Sequence, residues 1–382
     1  MQYRTLGKTG LKVSLLGMGC MRLPFIDGDG KNGVDLPAAI ELIQYAANHG
    51  INYFDTAFGY HGGQSEAILG EALEHKRKDV VYVTKQPFWE MYDDATIRRN
   101  LENTLRKLRT DYIDMYLLHR IMPPSWDAIQ QREIFRQLDD FKREGLIKHV
   151  GFSYHGDYDT FTDVVAKYPW EMAKVQHNML DMTREVTPAG VELAGKLGLG
   201  VAIMEPLRGG GLAHAPRSVQ EVYDHAAIRR SPAEWAFRYL VNMPEISVIT
   251  SGMSNMQQLK ENIAMFSQPD MVAGCLTPAE AQVIADARVT YNSIVTIPCT
   301  ACNYCIPCPF GVQIPNIFGL YNDAHRFEHF DQPRRAYMFM KNAGGDASKC
   351  VGCGVCLEKC PQDIDIIKEL KVANAALDGW KE

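Results

Sequence analysis

Residues 80–85 read Val80-Val81-Tyr82-Val83-Thr84-Lys85, a short run of β-type residues that ends on a charged lysine. A run that is apolar throughout, rather than at every second position, is how a strand reads when a parallel sheet buries both its faces. Ala95 to Leu108 follows, with apolar residues at helical spacing. The same pairing recurs along the chain. Further strand candidates are Ser14 to Cys20, Asn52 to Asp55, Tyr112 to His119, Lys148 to Ser153, Lys174 to His177, Gly200 to Met204 and Ile246 to Thr250. Pro37 to His49, Ser65 to His75, Ala128 to Glu144 and Ser254 to Phe266 read as helices. A strand–helix unit repeated in this way predicts an α/β fold, a closed parallel (β/α)8 TIM barrel rather than an open sheet.

Ser231-Pro232-Ala233-Glu234 and Thr277-Pro278-Ala279-Glu280 each offer a cap residue, a proline at the first helical position and a glutamate at the third, so both should open helices. Beyond the second, the pattern gives way to Ile297-Pro298-Cys299. The expected division is a barrel over 1–290 and a smaller, mainly α-helical domain over 291–382, with Asn316 to Asn342 helical.

The 382 residues, 46% hydrophobic and 23% charged, suffice for a large core plus a second, smaller one. A formal charge of −6 leaves no basic excess for gathering phosphates, which argues against nucleic acid as a partner. No run resembles a signal peptide or a membrane span, so the expectation is a cytoplasmic protein without a membrane partner.

Eight of the ten cysteines fall into two runs, Cys299-x2-Cys302-x2-Cys305-x2-Cys308-Pro309 and Cys350-x2-Cys353-x2-Cys356-x3-Cys360-Pro361. A Cys-x2-Cys pair is also a zinc knuckle, but three consecutive spacings place more sulfurs in one loop than a tetrahedral zinc site uses. The second run has the full spacing of bacterial ferredoxins, and the first is one residue shorter before its last cysteine. The expected cofactors are two [4Fe-4S] clusters. In two-cluster ferredoxins the fourth cysteine of each run serves the other cluster. Carried over, Cys299, Cys302, Cys305 and Cys360 hold one cluster, and Cys350, Cys353, Cys356 and Cys308 the other. Cys20 and Cys275 stand alone and read as small buried hydrophobes.

Asp55, Lys85 and His119 end strand runs, and Tyr60 lies in the loop after Asp55. In a parallel barrel these ends share one rim. Reducing a carbonyl needs hydride on carbon and a proton on oxygen, and a tyrosine is a reluctant donor at neutral pH. Lys85 would lower its pKa, Asp55 would hold the lysine charged, and His119 would bind or polarise the substrate oxygen.

With Phe54-Asp55-Thr56-Ala57 followed by Tyr60, Gln64-Ser65-Glu66-Ala67-Ile68-Leu69-Gly70-Glu71-Ala72-Leu73, Val83-Thr84-Lys85, Leu117-Leu118-His119 and Leu259-Lys260-Glu261-Asn262, residues 1 to about 265 resemble the aldo-keto reductase family. Together with the cysteine runs this looks like the branch carrying a C-terminal two-cluster ferredoxin-like domain. The resemblance implies a catalytic tetrad of Asp55, Tyr60, Lys85 and His119, with Tyr60 as general acid. It also implies an extended NADP, or NAD, across the barrel mouth without a Rossmann fold. Ser153 and Gln176 match the residues that bind the nicotinamide carboxamide, and Glu205 to Leu212 is similar to the pyrophosphate loop. On the same resemblance Gly19, Met21, Asp55, Met204, Leu207, Gly209, Leu212, Gly252, Ser254, Gln258, Glu261 and Asn262 also face the cofactor.

Three positions depart from the family's pattern. Tyr154 replaces the usual asparagine after Ser153, and Met204 stands where an aromatic ring often stacks on the nicotinamide. Ser251 to Gln258 lacks the basic residues that would pair with a 2′-phosphate, with Lys260 and Arg208 as candidate substitutes. Arg120, Trp89 and Met21-Arg22-Leu23-Pro24 are candidate pocket walls.

The leading functional expectation is an NAD(P)H-dependent oxidoreductase interconverting a carbonyl and an alcohol, whose clusters pass single electrons to a ferredoxin or flavoprotein. The alternatives are the same reductase with structural clusters, and an electron-transfer subunit on a barrel that does not catalyse.

Overall fold

The computed structural model describes residues 1–26, 33–87 and 93–378. An antiparallel hairpin of β1 (Tyr3–Thr5) and β2 (Lys12–Ser14) comes first. Eight parallel strands follow: β3 (Leu16–Gly19), β4 (Tyr53–Asp55), β5 (Val81–Pro87), β6 (Ile113–Ile121), β7 (Ile147–Tyr154), β8 (Met172–Gln176), β9 (Gly200–Met204) and β10 (Ile246–Ser251). They close in chain order, with β10 pairing back onto β3. Each expected strand run is present, but Ser14 belongs to the hairpin, so the first run is split.

The expected helix over 128–144 is two helices, Pro123–Gln130 and Ile134–Arg143. Buried Ile129 is followed by buried Ile134, a step that misses helical spacing, and the residues between are polar. The proline signals do open helices, at Pro232–Val241 and Pro278–Ser293, and the Ser231 hydroxyl accepts the Glu234 N–H at 3.1 Å.

Strand periodicity decides what fills the barrel. Alternate residues point inward, and toward the N-terminal ends these are apolar: Tyr53, Val81, Val83, Met115, Leu117, Met172, Ala202 and Val248 form one buried cluster. Gly17 is required beside it, since a Cβ there would lie 2.7 Å from the Tyr53 ring. Continuing the same parity to the C-terminal ends gives Asp55, Lys85, His119, Ser153, Lys174, Gln176, Met204 and Thr250. The inward column thus turns from greasy to chemical within one strand length, at the rim where parallel barrels carry their sites.

The chain divides into two compact units, Met1–Leu207 with Ala236–Thr277, and Arg208–Trp235 with Pro278–Glu382. The division near residue 290 expected from sequence falls inside the Pro278–Ser293 helix. Within the second unit this helix packs on Arg217–Asp224, and Arg230, half-buried, joins Glu280 to Glu234. Helices Ile314–Arg326, Asp331–Asn342 and Ile366–Leu377 surround a core of Ile297, Val312, Ile317, Phe318, Tyr337 and Leu370. Asn322 fastens the entry to this core, its side chain bonding both the N–H and the C=O of Ile297 at 2.8 Å.

Candidate active site and cysteine-lined cavities

Tyr60 is delivered by a tied-down loop. The Thr56 hydroxyl donates to Ser65 Oγ at 2.9 Å, and Ser65 donates to the Cys20 carbonyl at 2.8 Å. Glu66, wholly buried, accepts from Thr84 at 2.7 Å and Thr104 at 3.0 Å, with the Lys107 ammonium 3.6 Å away. His61 takes a left-handed backbone, φ 52°, and its Nε2 accepts the Leu23 N–H at 3.1 Å.

The four expected residues meet. Lys85 Nζ is 2.8 Å from Asp55 Oδ1, donates also to the Thr56 carbonyl, and stands 4.7 Å from the centre of the Tyr60 ring. His119 presents its ring edge-on to Tyr60, centroids 5.9 Å apart. Burial, with Lys85 adding to it, pushes the His119 pKa down to about 3, so the imidazole is neutral at pH 7. Burial raises the Tyr60 phenol above its ordinary value and Asp55 adds to that, while Lys174 is the foremost group pulling it down.

Lys174 is the site residue that sequence reasoning passed over. Its Nζ lies 2.9 Å from Asp55 Oδ2 and donates to Thr250 Oγ1 at 3.1 Å, and the side chain is buried. Burial alone would raise the Asp55 carboxyl, but Lys174 and then Lys85 outweigh it and hold it below the usual range. A lysine at an inward position of its strand, between Met172 and Gln176, was the available signal.

Around this group the rim is polar. Ser153 is buried, and its hydroxyl oxygen accepts the Arg120 N–H at 2.7 Å, leaving its own proton to donate. Gln176 donates to Asp181 at 3.0 Å, which fixes the amide and leaves its oxygen as acceptor. Tyr154 bonds the Asp157 carbonyl at 2.8 Å and is spent there. After β10, Ser254 bonds Gln258, Gln257 bonds Glu261 and Asn262 reaches Ser251, so Gly252 to Asn262 is a capped turn leading into the Met256–Phe266 helix. Gly19 lies in β3, and Leu207 closes the first unit. An open cavity of about 380 Å³ beside Tyr60 is lined by Met21, Phe25, Val34, Gly59, His61 and Gln64. Arg120 has a left-handed backbone, φ 57°, and Trp89 lies outside the described residues.

In the second unit, Arg208–Ala213 forms a tight turn with Gly209 and Gly210 at positive φ and Leu212 buried. Gly211 packs under Phe327, where a Cβ would come within 2.9 Å of the ring, and Arg208 pairs with Asp323 at 2.8 Å. Lys260, in the first unit, has its ammonium 5.3 Å above the Tyr45 ring. Of the two candidate partners for a 2′-phosphate, Arg208 is therefore already engaged by a carboxylate.

The cysteine runs line two cavities. Cys299, Cys302, Cys305 and Cys360 surround one, while Cys308, Cys350, Cys353 and Cys356 surround the other, whose wall Cys305 also touches. Among the described residues no three Cys, His, Asp or Glu side chains crowd together as around a single metal ion. Burial raises the Cys356 thiol, and Cys350, Cys353 and Cys308 add to the effect. Matching positions of the two loops, Ala301 and Gly352, then Asn303 and Gly354, all have positive φ. The donor set, all sulfur and spread around a space, fits a cuboidal iron–sulfur group.

A closed barrel whose rim gathers an aspartate–lysine pair, a tyrosine and a neutral histidine is a setting suited to an oxidoreductase. Residues 15–273, more than half of the chain, match the aldo/keto reductase family model, and residues 298–364 match the 4Fe-4S dicluster domain. The chain belongs to the aldo/keto reductase family. It is 27% identical to an uncharacterized oxidoreductase, YqkF, of Bacillus subtilis, over 69% of this chain and 90% of that one. To L-galactose dehydrogenase of Arabidopsis thaliana it is 28% identical, over 70% and 88%. Among solved structures, the holo form of aldo-keto reductase AKR11C1 from Bacillus halodurans aligns with a TM-score of 0.63 at 26% identity, covering 75% of this chain and 96% of that one. Among the described residues no helix is long and apolar enough to cross a membrane.

Proposed function

We propose that this oxidoreductase interconverts a small-molecule carbonyl and the corresponding alcohol with a nicotinamide dinucleotide, Tyr60 moving the proton. The observation that carries this reading is the buried Asp55–Lys85 pair, 2.8 Å apart, directly beneath the Tyr60 ring. The dinucleotide supplies or takes the hydride. Tyr60 gives its proton to the carbonyl oxygen, and the neutral His119 binds that oxygen without competing as an acid. Ser153 and Gln176 keep a donor and an acceptor available for a carboxamide, and the relative named L-galactose dehydrogenase supports a carbonyl–alcohol couple.

With Arg208 already paired to Asp323 and Ser251 to Gln258 carrying no basic residue, NADPH and NADH should bind within about tenfold of one another, a gap of under roughly 1.4 kcal/mol. Fluorescence titration of the two cofactors measures it. Tyr60→Phe should lower kcat for carbonyl reduction by about 10²–10⁴ with the cofactor Kd unchanged. A Tyr60→Phe protein that turns over normally sinks the reading.

The two cysteine-lined cavities each take a [4Fe-4S] cluster in the crossed arrangement, and the clusters exchange single electrons with a ferredoxin or flavoprotein. Cys302 and Cys353 are exposed, which supports electron exit to a partner, and a cytoplasmic location suits free thiols. A structural role is the second reading, favoured by the packing of Cys299, Cys305, Cys308, Cys350, Cys356 and Cys360 against the module's apolar core. Anaerobic purification with iron and sulfide analysis, then NADPH titration, separates them. Clusters that bleach on cofactor addition support electron transfer; clusters that never respond leave the structural role.

A further inference from the structure

The Asp55 carboxylate is shared. Lys85 holds Oδ1 at 2.8 Å from β5, and Lys174 holds Oδ2 at 2.9 Å from β8, so one buried anion faces two buried cations. Placing a second ammonium in the barrel interior carries a desolvation cost that the pairing with Asp55 offsets only in part, since Lys85 repels it. An ammonium kept at such cost, 2.9 Å from Asp55 and near enough to Tyr60 to act on its charge, needs a use.

We propose that Lys174 is a second positioning residue for the proton transfer at Tyr60, leaving the Asp55–Lys85–Lys174 group net positive so that the phenol gives up its proton more readily and its anion is held when the reaction runs toward carbonyl. This rests on reading Tyr60 as the proton donor. The titratable groups facing Tyr60 are Asp55 from β4, Lys174 from β8, Lys85 from β5, His119 from β6, Cys20 beyond β3 and Glu205 beyond β9. Those facing Lys174 are Asp55, Lys85 and Tyr60. Of the two lysines it is Lys174 that opposes most strongly the rise that burial and Asp55 impose on the phenol. Thr250, accepting at 3.1 Å, fixes the ammonium in place.

The proton balance is simple. In reduction, hydride reaches the carbonyl carbon, the Tyr60 proton reaches the oxygen, and the tyrosinate left behind is reprotonated from solvent. In the reverse direction tyrosinate removes the alcohol proton as hydride leaves the carbon. A positive charge nearby stabilises the tyrosinate in both directions.

The experiment uses the full-length protein with its iron, NADPH and 4-nitrobenzaldehyde as the probe carbonyl. Lys174→Met, which keeps the Asp55–Lys85 pair balanced, should move the alkaline fall of kcat/KM upward by at least about one pH unit. The ¹³Cζ-tyrosine resonance that disappears in Tyr60→Phe should titrate later by a similar interval. Lys174→Arg should restore both, and Lys174→Gln gives the same reading should the methionine variant fold poorly. A rate loss with the pH limb and the resonance unmoved would mean that Lys174 is merely structural, and would overturn the inference. Should Tyr60→Phe prove fully active, the proton-donor reading falls by itself and the resonance alone judges Lys174.

Discussion

The barrel rim and the cysteine module solve the problem of burying reactive groups in opposite ways. At the rim the chain brings its own counter-charges: Asp55 meets Lys85 and Lys174, and Glu66 meets Thr84, Thr104 and Lys107. In the module the chain gathers like with like, eight thiols around two cavities, and their crowding adds to the rise that burial imposes on Cys305 and Cys356. The lesson is that the first region is organised before any ligand arrives, while the second is a mould that its contents must complete.

The largest effect should come from emptying the mould. Stripping iron with a chelator should abolish one of two calorimetric unfolding transitions and the helical signal of the C-terminal unit, leaving the barrel transition in place. Two surviving transitions would mean that the module folds on its apolar core alone. Next in size is Asp55→Asn, which leaves two buried ammoniums without their anion and should cost about 3–5 kcal/mol, measured by denaturant unfolding. A cost below about 1 kcal/mol would mean that the rim is not the self-balanced network described.

His119 gives a smaller, pH-dependent effect. Its folded pKa of about 3 lies below the unfolded value of about 6.5, so between these limits the unfolded chain binds a proton that the folded protein refuses. Stability should therefore fall as pH drops below about 6.5, and His119→Asn should flatten that slope. Identical slopes in the two proteins would contradict a neutral His119.

The smallest effect compares the two cluster loops with each other. Ala301 sits at φ 56°, where its counterpart Gly352 sits at 73° without strain. Ala301→Gly should stabilise the first loop by about 0.5–1 kcal/mol and slow iron loss from its site, followed by visible absorbance under chelator. Faster loss would show that the loop tolerates alanine at no cost.

Much of this was legible because the barrel's strands are buried on both faces and so announce themselves as apolar runs, each ending on a residue with chemistry. The hairpin β1–β2 was not, since three-residue strands carry too little pattern. Ala128 to Glu144 read as one helix because composition alone does not register the mis-spaced step from Ile129 to Ile134. Asp55, Tyr60, Lys85 and His119 stood out at or just after strand ends, whereas Lys174 lay inside its strand, where only the inward parity with Met172 and Gln176 gives it away. Arg208 shows the converse limit: nothing along the chain reveals that Asp323, distant in sequence, has already taken it.

Each cysteine-lined cavity borrows from the other run, the first taking Cys360 and the second Cys308 together with Cys305. During synthesis, then, a ribosome that has released only the Cys299–Cys308 loop has produced neither receptacle whole. Neither can close until the Cys350–Cys360 loop has followed, so a chain broken between the two loops lacks both receptacles at once.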